Sequence, residues 1–207
     1  MGNSDAAANG QPGPSCVGIL LAAGKGRRFD AAGIRNKLLQ RLPDGDTVVV
    51  QAAKNLQAAI GATLAVVPAG SAALASNLSA SGFAVTECPD AGLGMAASLT
   101  HGLRLSSDAA GWIIALGDMP FVRPDTIRQL AAALSQGADI VVPIHNGVRG
   151  NPVGFSRNHL EHLLQLSGDI GARKLLQQYP VTEISVDDPG VGRDIDTLSD
   201  WQNSWSQ

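Results

Sequence analysis

The sequence predicts an α/β layer fold, with a mostly parallel sheet covered by helices on both faces. Three observations predict it. Apolar, β-branched runs alternate with segments of helical period along most of the 207 residues. Strand candidates such as Trp112-Ile113-Ile114-Ala115-Leu116 are apolar on both faces, as expected when helices pack on two sides. The conspicuous polar clusters fall just beyond strand ends, where open sheets of this kind hold ligands.

Composition sets the frame for the elements. Hydrophobic residues at 44% and charged residues at 16% are ample for one sizeable core. A net charge of -3 argues against a nucleic-acid binder, which carries a basic face. Two cysteines, Cys16 and Cys88, make no disulfide framework and read as small core residues. No run approaches the ~18 apolar residues of a membrane span. Residues 1–15 are rich in Ala, Asn, Gly and Pro and read as a disordered leader to a single domain over 16–207.

The first strand, 17–21, ends in Leu20-Leu21-Ala22-Ala23-Gly24-Lys25-Gly26-Arg27-Arg28-Phe29. Glycines let a backbone approach a ligand closely, and six of the fifteen Lys and Arg residues lie between positions 25 and 41, Lys37 among them. A cation cluster in an acidic chain marks an anionic ligand, read here as a triphosphate. Two other phosphate-binding patterns fail. The dinucleotide fingerprint meets Phe29 where a small residue is needed, and no acid closes the second strand. The P-loop fails because Gly24-Lys25 is followed by Gly26.

A helix over 47–59, a strand over 63–67, a helix over 71–79 and a strand over 83–87 follow. Gly92-Leu93-Gly94-Met95-Ala96-Ala97-Ser98 opens the next helix, 95–105. Its small residues leave room for a flat ring, and Ser98 offers a hydroxyl to a base edge; close helix packing is the equal alternative. The strand 112–116 runs into Gly117-Asp118-Met119-Pro120. An Asp in this place is often a cap, but Met119 and Pro120 suit a cap poorly and favour a metal ligand. A helix over 124–135 and strands over 140–142 and 152–155 follow, the last preceded by Arg149-Gly150-Asn151. Helices over 157–166 and 171–178 flank Ser167-Gly168-Asp169, where an acid complements a helix dipole. Arg173 either binds substrate or pairs with Asp169. After a strand over 181–186 comes Asp194-Ile195-Asp196-Thr197, whose two carboxylates share a face in extended chain. One Asp is expected to join Asp118 on Mg²⁺, which takes one or two protein carboxylates, and the other to cap a last helix from Leu198. His101, His145, His159 and His162 show no metal-ligand spacing.

Taken together, the motifs resemble the nucleotidyltransferases of Rossmann-like fold, and among them the molybdenum cofactor cytidylyltransferases and their guanylyltransferase relatives. The resemblance runs from about residue 16 to 200. It is carried by Leu21-Ala22-Ala23-Gly24-x-Gly26-x-Arg28-Phe29, Lys37, Gly94-Met95-x-x-Ser98-Leu99, Leu116-Gly117-Asp118-Met119-Pro120, Arg149-Gly150-Asn151-Pro152, Gly168-Asp169-x-Gly171-Ala172-Arg173 and Asp194-Ile195-Asp196-Thr197. Between Phe29 and Lys37 the chain is longer than the resemblance leads one to expect.

The resemblance implies a three-layer Rossmann-like sandwich with a mostly parallel, mixed sheet. It implies CTP and molybdenum-bearing molybdopterin as substrates, with Mg²⁺ as cofactor and Mn²⁺ as its substitute. The product would pass from this cytoplasmic enzyme to a molybdenum hydroxylase or its maturation factor. Lys25, Arg28, Lys37 and Asp118 would be catalytic. Leu21, Ala22, Ala23, Gly24, Gly26, Gly94, Ser98 and Asp118 would hold nucleotide. Asp118 and Asp196 would hold metal, and Arg149, Asn151, Asp169 and Arg173 the acceptor. The rival expectations are GTP as donor, a sugar or polyol phosphate as acceptor, or a non-catalytic module that binds and delivers the cofactor.

Overall fold

β1 (Cys16–Leu21) lies inside the sheet because its residues are apolar on both faces. Leu20 packs into one core, Ile19 and Leu21 into the other. The computed structural model describes residues 15–24, 26, 28–30, 35–168 and 172–203. β2 (Thr63–Pro68) and β3 (Val85–Cys88) extend the sheet on one side of β1, all parallel. β4 (Gly111–Leu116) pairs with the other side of β1, also parallel, with Leu21 opposite Leu116. Beyond it β7 (Val153–Ser156) is antiparallel to β4, and β5 (Ile140–His145) is antiparallel to β7. β6 (Val148–Arg149) is a short hairpin partner of β5, and β8 (Thr182–Ser185) pairs with β5 in parallel. The order is β3-β2-β1-β4-β7-β5-β6, with β8 off this path. The mixed, mostly parallel sheet matches the expectation from sequence.

Helices cover both faces. α1 (Val48–Ala59), α2 (Ala72–Ala80) and α4 (Pro124–Ser135) bury Leu56, Leu74, Leu78, Ile127 and Leu130 in one core. α3 (Met95–Leu105), α5 (Leu160–Leu164) and α6 (Arg173–Gln178) bury Leu99, Leu103, Leu163 and Leu175 in the other. α7 (Leu198–Asn203) rests on the first core through Leu198 and Trp201. Each fully buried aliphatic side chain contributes roughly 1.5–3 kcal/mol, so the two layers together carry the fold. Among the described residues, no helix is long and apolar enough to cross a membrane.

Three local differences from expectation have physical causes. The helix expected over 157–166 is a 3₁₀ turn (Arg157–His159) leading into the five residues of α5. β6 is a strand the periodicity did not show, because two residues carry no period. Its turn was readable: Asn146 and Gly147 take φ of 50° and 79°, and Asn-Gly is the residue pair that favours such hairpin turns. The last helix is capped neither by Asp194 nor by Asp196. Thr197 Oγ1 accepts the N–H of Asp200, and Asp200 Oδ2 accepts the N–H and hydroxyl of Thr197. This reciprocal box satisfies the helix start and frees both earlier acids.

Candidate functional site

The chain leaves β1 to lay β2 and β3 on one side and returns to place β4 on the other. Strand order therefore reverses between β1 and β4, and a crevice opens beyond their carboxyl ends. A cleft of about 470 Å³ occupies this place. One wall is the loop after β1: Leu21, Ala23, Gly24, Gly26 and Arg28. The opposite wall is the glycine-rich turn and first residues of α3: Ala91, Gly92, Leu93, Gly94, Met95 and Ser98. The floor is Leu116, Asp118, Lys37 and Asp196.

Each floor residue is placed by its element. Asp118 follows β4, whose exit is pinned to β1 by the Gly117 N–H on the Leu21 carbonyl at 2.9 Å. A Cβ at Gly117 would crowd the Cβ of Ala22 at 3.2 Å, so glycine permits this approach. Lys37 opens a 3₁₀ turn whose preceding Asn36 accepts the Leu38 N–H at 2.9 Å. Asp196 is set by its neighbour: Ile195 is buried, and its N–H donates to the Asp118 carbonyl at 2.9 Å. Side chains distant in sequence thereby meet. Lys37 Nζ donates to Asp118 Oδ2 at 2.6 Å and to Asp196 Oδ1 at 2.7 Å, and Arg28 pairs with Asp196 Oδ2 at 2.7 Å.

Lys37 is only 6% exposed. Burial alone would lower its pKa, but the carboxylates, Asp118 foremost, outweigh burial and hold it above the usual lysine value. Asp194 is shifted upward, first by desolvation and then by the negative charges of Asp196 and Asp118. The donor set suits a hard divalent cation: two carboxylate oxygens already converge on one positive group, and Mg²⁺ or Mn²⁺ sites of this sort complete their shell with phosphate and water oxygens. Among the described residues, no group of three or more His, Cys, Asp or Glu could hold a metal by itself.

Ser98 is 2% exposed, lines the cleft, and its Oγ has no hydrogen-bond partner among the described residues. A hydroxyl so placed needs a partner. Gly94, with φ 121°, makes the turn into α3 that brings Ser98 to the wall.

The other expected residues fall as follows. Lys25 and Asp169 lie outside the described residues. Ala22 is turned into the core, and its N–H donates to the Val66 carbonyl, so it is no cleft-wall residue. Arg149 sits on β6 and pairs with Glu183 at 2.6 Å, away from the cleft. Asn151 lines a small crevice with Asn55 and Met119 instead, and its N–H donates to Val191 O at 2.8 Å. Arg173 is exposed at the start of α6 and is not part of the cleft wall. Of the acceptor set expected from sequence, Arg149, Asn151 and Arg173 do not line the cleft. Conversely, Ala91, Leu93, Met95, Leu38 and Leu116 line the cleft without having been assigned a role there, although Leu93, Met95 and Leu116 stood in the quoted motifs. Leu93 and Met95 carried a readable signal, since they flank a glycine required by the turn. The cysteines are free, and burial pushes the Cys16 thiol up to about 11.

The family model described as "MobA-like NTP transferase domain" matches residues 18–183. The molybdenum cofactor cytidylyltransferase of Escherichia coli K12 is 28% identical over 85 residues, 41% of this chain and 43% of that protein. The chain therefore matches less than half the length of that curated relative. Rv0371c from Mycobacterium tuberculosis H37Rv superposes with a TM-score of 0.80 at 27% identity, covering 95% of this chain and 100% of that one. A second structure of Rv0371c, described as a complex with manganese, superposes with a TM-score of 0.77 at 27% identity over 93% of this chain and 99% of that one. A nucleotidyl transferase from Methanothermobacter, at 22% identity and a TM-score of 0.77 over 94% and 97% of the two chains, shares the fold.

Proposed function

We propose a reaction for a chain that belongs to the MobA-like NTP transferase domain family and is therefore a nucleotidyltransferase: transfer of CMP from CTP to the terminal phosphate of molybdenum-bearing molybdopterin. The products are the cytosine dinucleotide form of the cofactor and pyrophosphate. The observation that carries the reading is the meeting of Asp118 and Asp196 beside the 24–28 loop, at the point where strand order reverses. The likeness to the Escherichia coli cytidylyltransferase supports cytidine and the molybdenum cofactor. The manganese complex of Rv0371c supports a divalent cation.

An oxygen of the acceptor phosphate attacks the α-phosphorus of CTP in line. The new P–O bond forms as the bond between α-phosphorus and the bridging oxygen breaks, and pyrophosphate leaves with that electron pair. The attacking phosphate is already ionised, so the chain supplies no nucleophile and no general base. Its task is to bring two anions together. The loop after β1 from Ala23 on, with Arg28 and Lys25, would meet the triphosphate, and each preorganised donor of this kind contributes about 3 kcal/mol to the transition state. Lys37, which lines the same cleft, adds its positive charge. Asp118 and Asp196 would hold the divalent cation, which supplies neutralisation of the phosphate oxygens when bound. Ser98 would accept or donate at the edge of the base.

The test is pyrophosphate release with Mg²⁺ and molybdenum-bearing molybdopterin, run in parallel with CTP, GTP, ATP and UTP and with thermal shifts for each nucleotide. CTP should alone support turnover and give the largest shift. GTP in its place would overturn the base, a sugar or polyol phosphate as the better acceptor would overturn the acceptor, and no release with any nucleotide would indicate a delivery module. Asp118→Ala should abolish transfer and leave the circular dichroism spectrum unchanged; near-normal turnover would remove Asp118 from the mechanism.

A further inference from the structure

We propose that Lys37 is a tethered occupant of the divalent-cation seat, so that its ammonium and the ion exclude one another there and the ion displaces Lys37 toward the triphosphate loop. The inference rests on reading Asp118 and Asp196 as ligands of that ion.

Three observations carry it. The first is distance. Lys37 Nζ is 2.6 Å from Asp118 Oδ2 and 2.7 Å from Asp196 Oδ1, while Mg²⁺ takes oxygens at about 2.0–2.1 Å. An ion on these two oxygens either overlaps the ammonium or faces it across the carboxylates at a few ångströms, where like charges in a half-buried site repel strongly. The other Asp196 oxygen is taken by Arg28.

The second is charge. Asp118 and Asp196 already have one ammonium and one guanidinium as counter-charges, with Asp194 a further acid close enough to feel both. A bare divalent ion has to compete with those fixed cations for the same oxygens. A nucleotide triphosphate arriving with the ion gives Lys37 a new anion to meet. The ammonium therefore keeps the acid pair from being held by an idle ion and couples ion entry to nucleotide entry.

The third is the path. Lys37 lines the cleft, and its stem runs beneath the loop, with Cγ 3.6 Å from where a side chain at Gly26 would begin. The displaced ammonium would move toward Gly26, which its own stem already borders.

Binding of Mn²⁺ alone, followed by electron paramagnetic resonance without nucleotide, tests the proposal. Lys37→Met should bind Mn²⁺ at least about tenfold more tightly than the wild-type chain, as removal of a like charge beside the site requires. Adding Asp118→Asn to Lys37→Met should abolish the gain. In the wild-type chain, saturating Mn²⁺ should raise the rate at which Lys37 is acylated, read by peptide mass spectrometry, and this measurement decides the matter if Lys37→Met does not fold. Mn²⁺ bound equally, or more weakly, by Lys37→Met overturns the exclusion and leaves the ion's ligands standing, as does an unchanged acylation rate. No Mn²⁺ binding by either chain overturns the ligand reading together with the inference.

Discussion

Ser98 and Lys37 are both buried polar residues on the cleft, and their situations are opposite. Lys37 has two charged partners. Ser98 has none among the described residues. A buried hydroxyl without a partner costs about 1–3 kcal/mol, so Ser98→Ala should leave thermal stability unchanged or higher. If the hydroxyl meets the nucleotide, the same substitution should raise KM for CTP about tenfold, the loss of one hydrogen bond to ligand. Isothermal titration and a melting curve on the same two proteins check this. An unchanged KM would make Ser98 a packing residue. Lys37 carries a pH consequence of definite sign. A lysine held above its ordinary value keeps its stabilising charge at every pH below the unfolded value, and loses it only as pH rises through the folded one, well into the alkaline range. Stability between pH 6 and 9 therefore owes nothing to its titration.

At the level of elements, caps and buried side chains set the angles at which helices and loops enter the site. Asp188 is 2% exposed and accepts the Arg123 N–H at 2.8 Å, the Thr126 hydroxyl at 2.7 Å and the Gly190 N–H at 2.9 Å. It joins the start of α4 to the segment that leads to Asp196. Asp188→Ala strands these three donors and should cost about 2–4 kcal/mol in urea unfolding; a loss under 1 kcal/mol would show that the joint is dispensable. The start of α5 carries the pH sensitivity of the opposite layer. His159 is buried with Nδ1 unpartnered among the described residues, in edge contact with Phe155 and with Tyr179 at 4.9 Å between centroids. Burial holds its pKa below the ordinary 6.5; Asp139 opposes the shift and His162 adds to it. The neutral ring is thus the folded form. Its contribution is complete above the unfolded value and is lost as pH falls from about 6.5 through the lower folded value. The melting temperature should drop between pH 7.5 and 5.5, and His159→Phe should flatten that drop. An identical slope in both proteins would assign the acid sensitivity elsewhere.

The whole molecule brings the site together by one long-range crossing. The segment after β8 passes over the β4 exit, where a Cβ at Gly190 would collide with the carbonyl of Phe121, and Arg193 stacks on the Phe121 ring at 4.3 Å. Gly190→Ala should push this segment off and carry Asp196 away from Asp118. The expected result is a loss of both stability and transfer far larger than for an exposed glycine such as Gly61 replaced by Ala, measured by unfolding and pyrophosphate release. Equal effects at the two positions would mean that the crossing tolerates displacement.

What the sequence determined by itself was whatever local chemistry encodes. The apolar runs of β1 and β4 specified buried strands, Gly24 and Gly26 specified a loop whose backbone a ligand can approach, and Asp118 stood at a strand end, where a carboxylate serves either as a cap or as a ligand to a cation. Even two features that went unread, the Asn146-Gly147 turn and the Thr197 to Asp200 cap, were written in adjacent residues. Only the tertiary structure decided that Lys37 meets Asp118 across 81 residues and Asp196 across 159, that Arg28 turns to an acid, and that Arg149 leaves the cleft for Glu183. Partner choice among charged side chains depends on which strand ends the topology sets side by side, and Coulomb attraction acts on distance in space, to which spacing along the chain is no guide.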